Sequence, residues 1–445
     1  MKKLLTILSS LGLIATSSLF VIGCKNNNYK SDNQNRENTN SDQMSSDQSN
    51  NSNPKKEKPR RPATEEEKNN NYKSDNQNRE NTNSDQMSSD QSNNSNPKKE
   101  KPRRPATEEE KNKLQAIFKQ QENGFAAFHT YKDVLDQLLV YAKEQDLNEL
   151  ELENGVNENE NLKEDKNSAN KNTIKLRLYG SSVIFTPKKV LNNEVETIYS
   201  SDKKKLIQIG YKKNSNTNVQ INKIQETITE VPKHLPLKIN SLEDAFSKSK
   251  ISKVENLDLW DTKNIKKMST VFDGASNFNQ DISKWNTSNV VDMSGMFKDA
   301  AEFNQPLNEW KVNNVRDMDD MFAGAEKFNQ DLDKWETSSL ANINQMFWDA
   351  TNFNGNIATW DVSKVKSLYN TFAGAVSFNR NISNWVTSNV ENMQGTFSRA
   401  KSFSQNLSKW DVKKVIITKD FNKEVQNTFG NENLPKFNIS ITYSK

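Results

Sequence analysis

Trp260, Trp285, Trp310, Trp335, Trp360, Trp385 and Trp410 recur at an unbroken interval of 25 residues. A single compact domain gives no reason for one large side chain to return at a fixed spacing. A stack of coils does, because each coil buries its apolar face only against its neighbours. Other residues keep the interval. Phe272, Phe297, Phe322, Phe347, Phe372 and Phe397 lie thirteen residues before a tryptophan, and Phe278, Phe303, Phe328, Phe353, Phe378 and Phe403 lie seven before one. Ala275, Ala300, Ala325, Ala350, Ala375 and Ala400 sit between the two phenylalanine series.

One unit, Asn279 to Phe303, reads NQDISKWNTSNVVDMSGMFKDAAEF. Within it Val290, Met293, Phe297 and Ala300 are spaced as one face of a helix. The segment around Asp281, Ile282 and Ser283 suits a short strand, ending in a polar Asn-Thr-Ser-Asn turn suited to capping. Trp285 follows Ile282 by three residues, so strand alternation cannot bury both and a bend is expected between them. The expectation is an α+β, right-handed, leucine-rich-repeat-like solenoid with one short strand and one short helix per coil.

The run WNTSNVVDMSGMF, with W.TSNV repeated at Trp285 to Val290 and Trp385 to Val390, resembles the BspA-like leucine-rich repeat of bacterial surface proteins, in the version found in mycoplasma lipoproteins. The likeness covers roughly residues 240–420. It implies a surface location and a parallel solenoid, with adhesion or host interaction as the role and no catalytic residues. The pattern is broken at Leu340 to Asn344, where LANIN stands, and after Trp410, where Thr418 and Asn422 replace the Met and Phe. The last coil is expected to be a degenerate cap.

At the other end Lys2 and Lys3 precede an apolar stretch from Leu4 to Ile22, a charged region followed by a hydrophobic one, as in a secretory signal. Its end, Val21-Ile22-Gly23-Cys24, resembles a bacterial lipobox, which implies cleavage after Gly23 and lipidation of Cys24, the sole cysteine. An uncleaved signal anchor is the alternative, since the stretch is long enough to span a membrane. No intramolecular disulfide is available. The 43 residues Lys25 to Glu67 recur unchanged as Lys68 to Glu110, rich in Asn, Ser, Asp, Gln and Lys. They bury too little apolar surface to offset chain entropy. A tether with an average reach of about 50 Å is expected.

The chain is thus divided into a leader (1–23), a tether (24–106), an amphipathic helical segment (107–151), a polar linker (152–172), a small β-rich capping region (173–240), the repeat solenoid (241–421) and a C-terminal cap (422–445). Thr107 with Glu110 reads as a capping box opening the helical segment, which Asn123-Gly124 splits in two.

Sixty-two basic residues against fifty-eight acidic leave no strong charge bias, and no nucleic-acid module is present. His129 and His234 are the only histidines, and neither has a partner at metal-ligand spacing. No phosphate loop or nucleophile elbow occurs. Recurring Asp281 and Asp299 read as turn residues, and the doublets Asn279-Gln280, Asn304-Gln305 and Asn329-Gln330 as a ladder between coils. Neither a catalytic function nor a cofactor is expected. The candidate contact residues for a partner are Trp348, which stands on a polar slot, with Gly355 and Arg380, which replace the glutamine of the repeat. The functional expectation is a protein anchored through Cys24 to the outer face of the cell membrane, binding a host or neighbouring-cell protein or glycan. The alternative is a solute-binding lipoprotein serving a transporter.

Overall fold

The computed structural model describes residues 104–445. The expected leader, Cys24 and nearly all of the expected tether lie outside the described residues. What is described is mixed, with two α-helices and three small antiparallel sheets ahead of the repeats.

α1 (Glu108–Gln121) opens on the expected capping box: the Thr107 side chain accepts from the Glu110 N–H, and the Glu110 carboxylate accepts from the Thr107 N–H. α2 (Tyr131–Glu144) opens on a second such box, between Thr130 and Asp133. The chain breaks between them around Asn123-Gly124, as expected. The helices bury Leu114, Ile117, Phe118, Val134 and Leu138 against β1 (Leu150–Leu152), β2 (Ile174–Leu178) and β3 (Ser181–Phe185), which pair in that order.

Two expected boundaries move. The segment 152–172 is not a bare linker: Leu162 and Asp165 are buried, and the Asp165 carboxylate accepts the N–H groups of Ala169 and Lys171. These bonds hold its pKa below the usual carboxylate range and give a polar stretch its partners. The β-rich region also divides, because β2 and β3 complete the core of the helices. Only β4 (Glu194–Val195), β5 (Ile198–Tyr199), β6 (Leu206–Gln208), β7 (Tyr211–Ser215) and β8 (Asn218–Ile221) share a core with the repeats. They do cap the array: parallel bridges join Gln220 to Ser241 and Glu230 to Glu255.

Within 241–421 the expected helix and strand of each coil are absent. The chain forms no α-helix and no strand longer than a single bridged residue, apart from a 3-10 turn at Leu257–Leu259. The face read from the sequence is correct, since Val290, Met293, Phe297 and Ala300 are all buried. The backbone between them is not helical because two slots per coil take positive φ, filled by Gly295 and Asp299, Asp320 and Gly324, Gln345 and Asp349, and Asn370 and Gly374. A left-handed residue every few positions cannot continue a right-handed helix. Alternate N–H groups instead donate to the next coil: Met293 to Asp317, Gly295 to Asp319, Phe297 to Met321 and Asp299 to Ala323, at 2.7–2.9 Å. The bend between Ile282 and Trp285 is present, closed by the Trp285 N–H on the Ile282 carbonyl, with both side chains buried.

The coils therefore stack in register. Parallel bridges run through Ser241, Lys267, Asp292, Asp317 and Asn342, then resume through Ser367, Asn392 and Ile417. Equivalent phenylalanines stack at 5.5–5.7 Å with planes within 10° from Phe272 to Phe397. Each indole Nε1–H donates to a carbonyl 28 residues earlier, from Trp260 on Pro232 to Trp410 on Ile382. The last coil is a cap, though not a frayed one. Trp410 is 4% exposed, Phe429 meets Phe397 and Phe403 edge-on, and the tail binds back through Asp420 N–H on Thr442 O. Asn422, in the slot of a core phenylalanine, is satisfied by the Phe429 carbonyl and the Tyr443 hydroxyl.

Candidate binding surface

The aromatic series is closed to any ligand. The seven tryptophans are 2–4% exposed, and Phe272, Phe297, Phe322, Phe347, Phe372 and Phe397 are fully buried. A second internal column, missed in the sequence, holds threonine or valine two residues after each tryptophan: the buried Thr262, Thr287, Thr337 and Thr387 hydroxyls donate to carbonyls of the following coil. Recurrence of these two β-branched residues on the 25-residue interval was the available signal.

On the outside, the doublets form the ladder the sequence suggested. Asn279, Asn304, Asn329 and Asn354 each accept, through Oδ1, the backbone N–H of the equivalent residue one coil on, at 2.8–3.0 Å. Gln305 and Gln330 reach back to the same oxygens. Such side-chain ladders are what in-register repetition makes available. Asp281 closes a turn on the Ser283 N–H, which lowers its pKa.

The candidate contact residues fare unequally. The slot of Trp348 is not solvent-facing as expected: Trp348 is half-buried, and Ala323 and Ala373, its equivalents in the flanking coils, are buried. The slot lies beside a backbone ladder, with the Trp348 carbonyl accepting the Gly324 N–H at 2.7 Å. Gly355 is buried, and its reason is steric, since a Cβ there would lie 2.0 Å from the Gln330 carbonyl oxygen. Arg380 is exposed. Its Nε donates to the Asn354 carbonyl in place of the usual glutamine amide, and its guanidinium reaches Asp331 at 4.0 Å, two coils back. The structure thus joins Gly355 and Arg380 through Asn354's neighbourhood, and no described contact joins Trp348 to them.

Beside that face, desolvation and the nearby Asp320 and Asp317 carboxylates raise the Asp319 pKa to about 6. Lys298 pairs with Asp320 at 2.6 Å.

Ahead of the array, α2 and β7 border a cleft of about 200 Å³ lined by His129, Asp133, Gln137, Tyr211 and Lys238 among others. Most of its polar groups are paired: Asp133 with Lys238 at 2.6 Å, His129 with the Tyr211 hydroxyl at 3.0 Å, and Gln137 Oε1 with the Leu237 N–H. Gln137 Nε2 has no partner. Among the described residues no group of His, Cys, Asp and Glu could hold a metal ion, and no helix is long and apolar enough to cross a membrane.

Burial lowers the His129 pKa to about 4, against some support from its bond to Ala126. An unfolded chain binds that proton near pH 6.5, so stability falls as pH drops from there towards 4. Between pH 7.5 and 5 the loss from this residue is expected to be about 2 kcal/mol. Urea unfolding at the two pH values should show a shallower drop for His129→Phe than for the native chain. An equal drop would mean that His129 is solvated.

Residues 240–353, and again residues 329–437, match the sequence model of a family described as Mycoplasma protein of unknown function, DUF285. The C-terminal region is thus similar to a mycoplasma repeat family. No curated protein and no solved structure matches the chain.

Proposed function

We propose that this protein is a lipid-anchored surface protein whose stacked coils act as a leucine-rich-repeat-like solenoid of the BspA kind, binding a macromolecule of host or neighbouring cells without catalysis. One observation carries the reading. The interior columns hold tryptophan, phenylalanine and alanine almost without change, while the exposed column six residues after each tryptophan runs Lys266, Val291, Arg316, Ala341, Lys366, Glu391, Ile416. A fixed scaffold with a changing outer face is how repeat proteins present extended recognition surfaces. The Cys24 anchor supports the surface location, and two or more acyl chains would hold the protein to a bilayer durably.

Digesting intact cells with external protease tests it. Loss of the repeat region with cell integrity preserved is expected, and Cys24→Ser should abolish lipid labelling and release or mislocalise the chain. Full protection from protease in intact cells would reject the surface reading.

A second reading, solute capture for a transporter, is favoured only by the cleft at Gln137, whose unpaired amide nitrogen is a donor for a small ligand. Its small volume suits few solutes, since ligand pockets usually enclose about 300–1,000 Å³.

A further inference from the structure

We propose that one edge of the stack binds a linear polysaccharide carrying sulfate or carboxylate groups. This deepens the reading of the array as a macromolecule-binding surface and rests on it. The edge consists of the positions three, four and six residues after each tryptophan, which face outward because the positions two and five after it, such as Val312 and Val315, are buried.

The charge on this edge alternates by coil. Coils beginning at Trp260, Trp310, Trp360 and Trp410 place Lys263 and Lys266, Arg316, Lys364 and Lys366, and Lys413 and Lys414 there. The coils between them carry serine, asparagine, valine, alanine and one acid, Glu391. All these cations are exposed. Lys266, Arg316, Lys364 and Lys366 have no ion-pair partner among the described residues.

Backbone bonds hold Lys266 and Arg316 on one line: the Val291 N–H donates to Lys266 O, Arg316 to Val291 O, and Ala341 to Arg316 O, at 2.9–3.0 Å; the ladder is interrupted between Ala341 and Lys366 and resumes with the Glu391 N–H on Lys366 O at 2.8 Å. Ring-to-ring steps of 5.6 and 5.7 Å between successive coils put cations on alternate coils about 11 Å apart.

Glu391 stands on the edge itself, and four further carboxylates border it with partners of their own. Asp261 pairs with Lys263 at 2.6 Å and Asp411 with Lys413 at 3.7 Å. Asp361 and Asp317 accept the N–H groups of Ser363 and Asp319. They thin the positive charge without cancelling the central line.

The lining of this edge disfavours nucleic acid. Duplex DNA carries a charge about every 1.7 Å of its axis and single strands are held by aromatic stacking, whereas this edge has sparse cations and no aromatic side chain. Its intervening Ser338 and Ser339 offer hydroxyl groups to sugar hydroxyls between the charges, while Ser288 Oγ and Asn289 Nδ2 donate to Asn286 Oδ1 and the Lys263 carbonyl and leave their oxygens as acceptors.

The test titrates the purified full chain with a size-defined heparin-type polysaccharide, its desulfated form and single-stranded DNA, each at several salt concentrations. The sulfated polymer is expected to bind best, with affinity falling as salt rises. Replacing Lys266, Arg316 and Lys366 together by serine should weaken binding at least about tenfold and flatten the salt slope by roughly two, as released counterions require. Lys284→Ser, Lys334→Ser and Lys409→Ser combined, the same charge change on another exposed column, should alter affinity less than about threefold. Thermal unfolding confirms that both variants fold, and Lys366→Arg with Lys266→Arg should retain binding. Equal losses from both triple variants, no loss from the first, or tighter binding of DNA would overturn the proposal. Protease accessibility on intact cells reads the surface assignment independently, so a chain that is surface-exposed yet indifferent to the first triple keeps that reading and loses this one.

Discussion

Trp335→Ala is expected to lower the unfolding free energy by about 3–5 kcal/mol, the range for truncating a buried aromatic. Trp335 is 2% exposed, stacks on Trp360 at 5.8 Å with planes 4° apart, and donates from Nε1 to the Leu307 carbonyl at 2.9 Å. Truncation therefore removes the stacking contact with Trp360 and one of the two donors to the Leu307 carbonyl, which keeps the Trp310 N–H. Trp335→Phe separates the two effects, since it keeps an aromatic ring and loses the bond; its cost should be nearer about 1–2 kcal/mol. Denaturant midpoints of the two variants decide the matter. A near-zero loss for Trp335→Ala would mean that the indole is exposed, and the tryptophan column would then become the leading ligand surface.

Gly355→Ala is expected to cost about 3 kcal/mol, at the upper end of the usual range for overpacking. Its Cβ would lie 2.0 Å from the Gln330 carbonyl oxygen, 2.8 Å from that carbonyl carbon and 2.9 Å from the Phe353 ring. The oxygen belongs to the backbone, which cannot swing aside as a side chain can, so the strain passes to the coil below. Gln305→Ala, on the same column, removes only an amide bond to Asn279 and should cost about 1 kcal/mol. Melting curves that ranked Gln305→Ala as the more harmful would contradict this close approach. They would also leave unexplained why Arg380 is free to reach Asp331 over this coil.

What was legible in the sequence was the period and the direction of side chains. In-register repetition makes every buried column self-revealing, and Trp285, Phe297, Phe303 and Ala300 needed no structure to be placed inside. Backbone conformation was not legible from apolar spacing alone, because i, i+3, i+7 describes a helix face and also a chain of tight turns that returns inward at the same positions. The distinguishing signal lay in the polar slots: Gly295, Asp320, Asn370 and Gly395 are residue types that tolerate positive φ and recur where a helix would take any residue, although Thr270 and Gln345 in the same slot weaken the pattern. Gly355 shows the converse limit. A glycine replacing a glutamine reads as surface drift, whereas its cause is a backbone approach from the neighbouring coil. Trp348 misled for a related reason, since Asp273, Lys298 and Ser398 in its slot suggested solvent while the slot lies half-covered beside the inter-coil ladder. The packing of residues 152–172 escaped notice because Asp165 and Asn172 are buried by hydrogen bonding, which composition does not display.

Excising one 25-residue coil tests most directly whether the coil is the unit of folding. Removing Trp310 to Lys334 joins Glu309 to Trp335 and brings the Trp335 indole over the Ile282 carbonyl that Trp310 now uses. Since each coil buries its apolar face against its neighbours, the shortened chain should still unfold in one cooperative transition near the native midpoint. Removing only Trp310 to Met321 breaks the register and should abolish that transition. Loss of cooperative unfolding in both deletions would contradict the stacked-coil account.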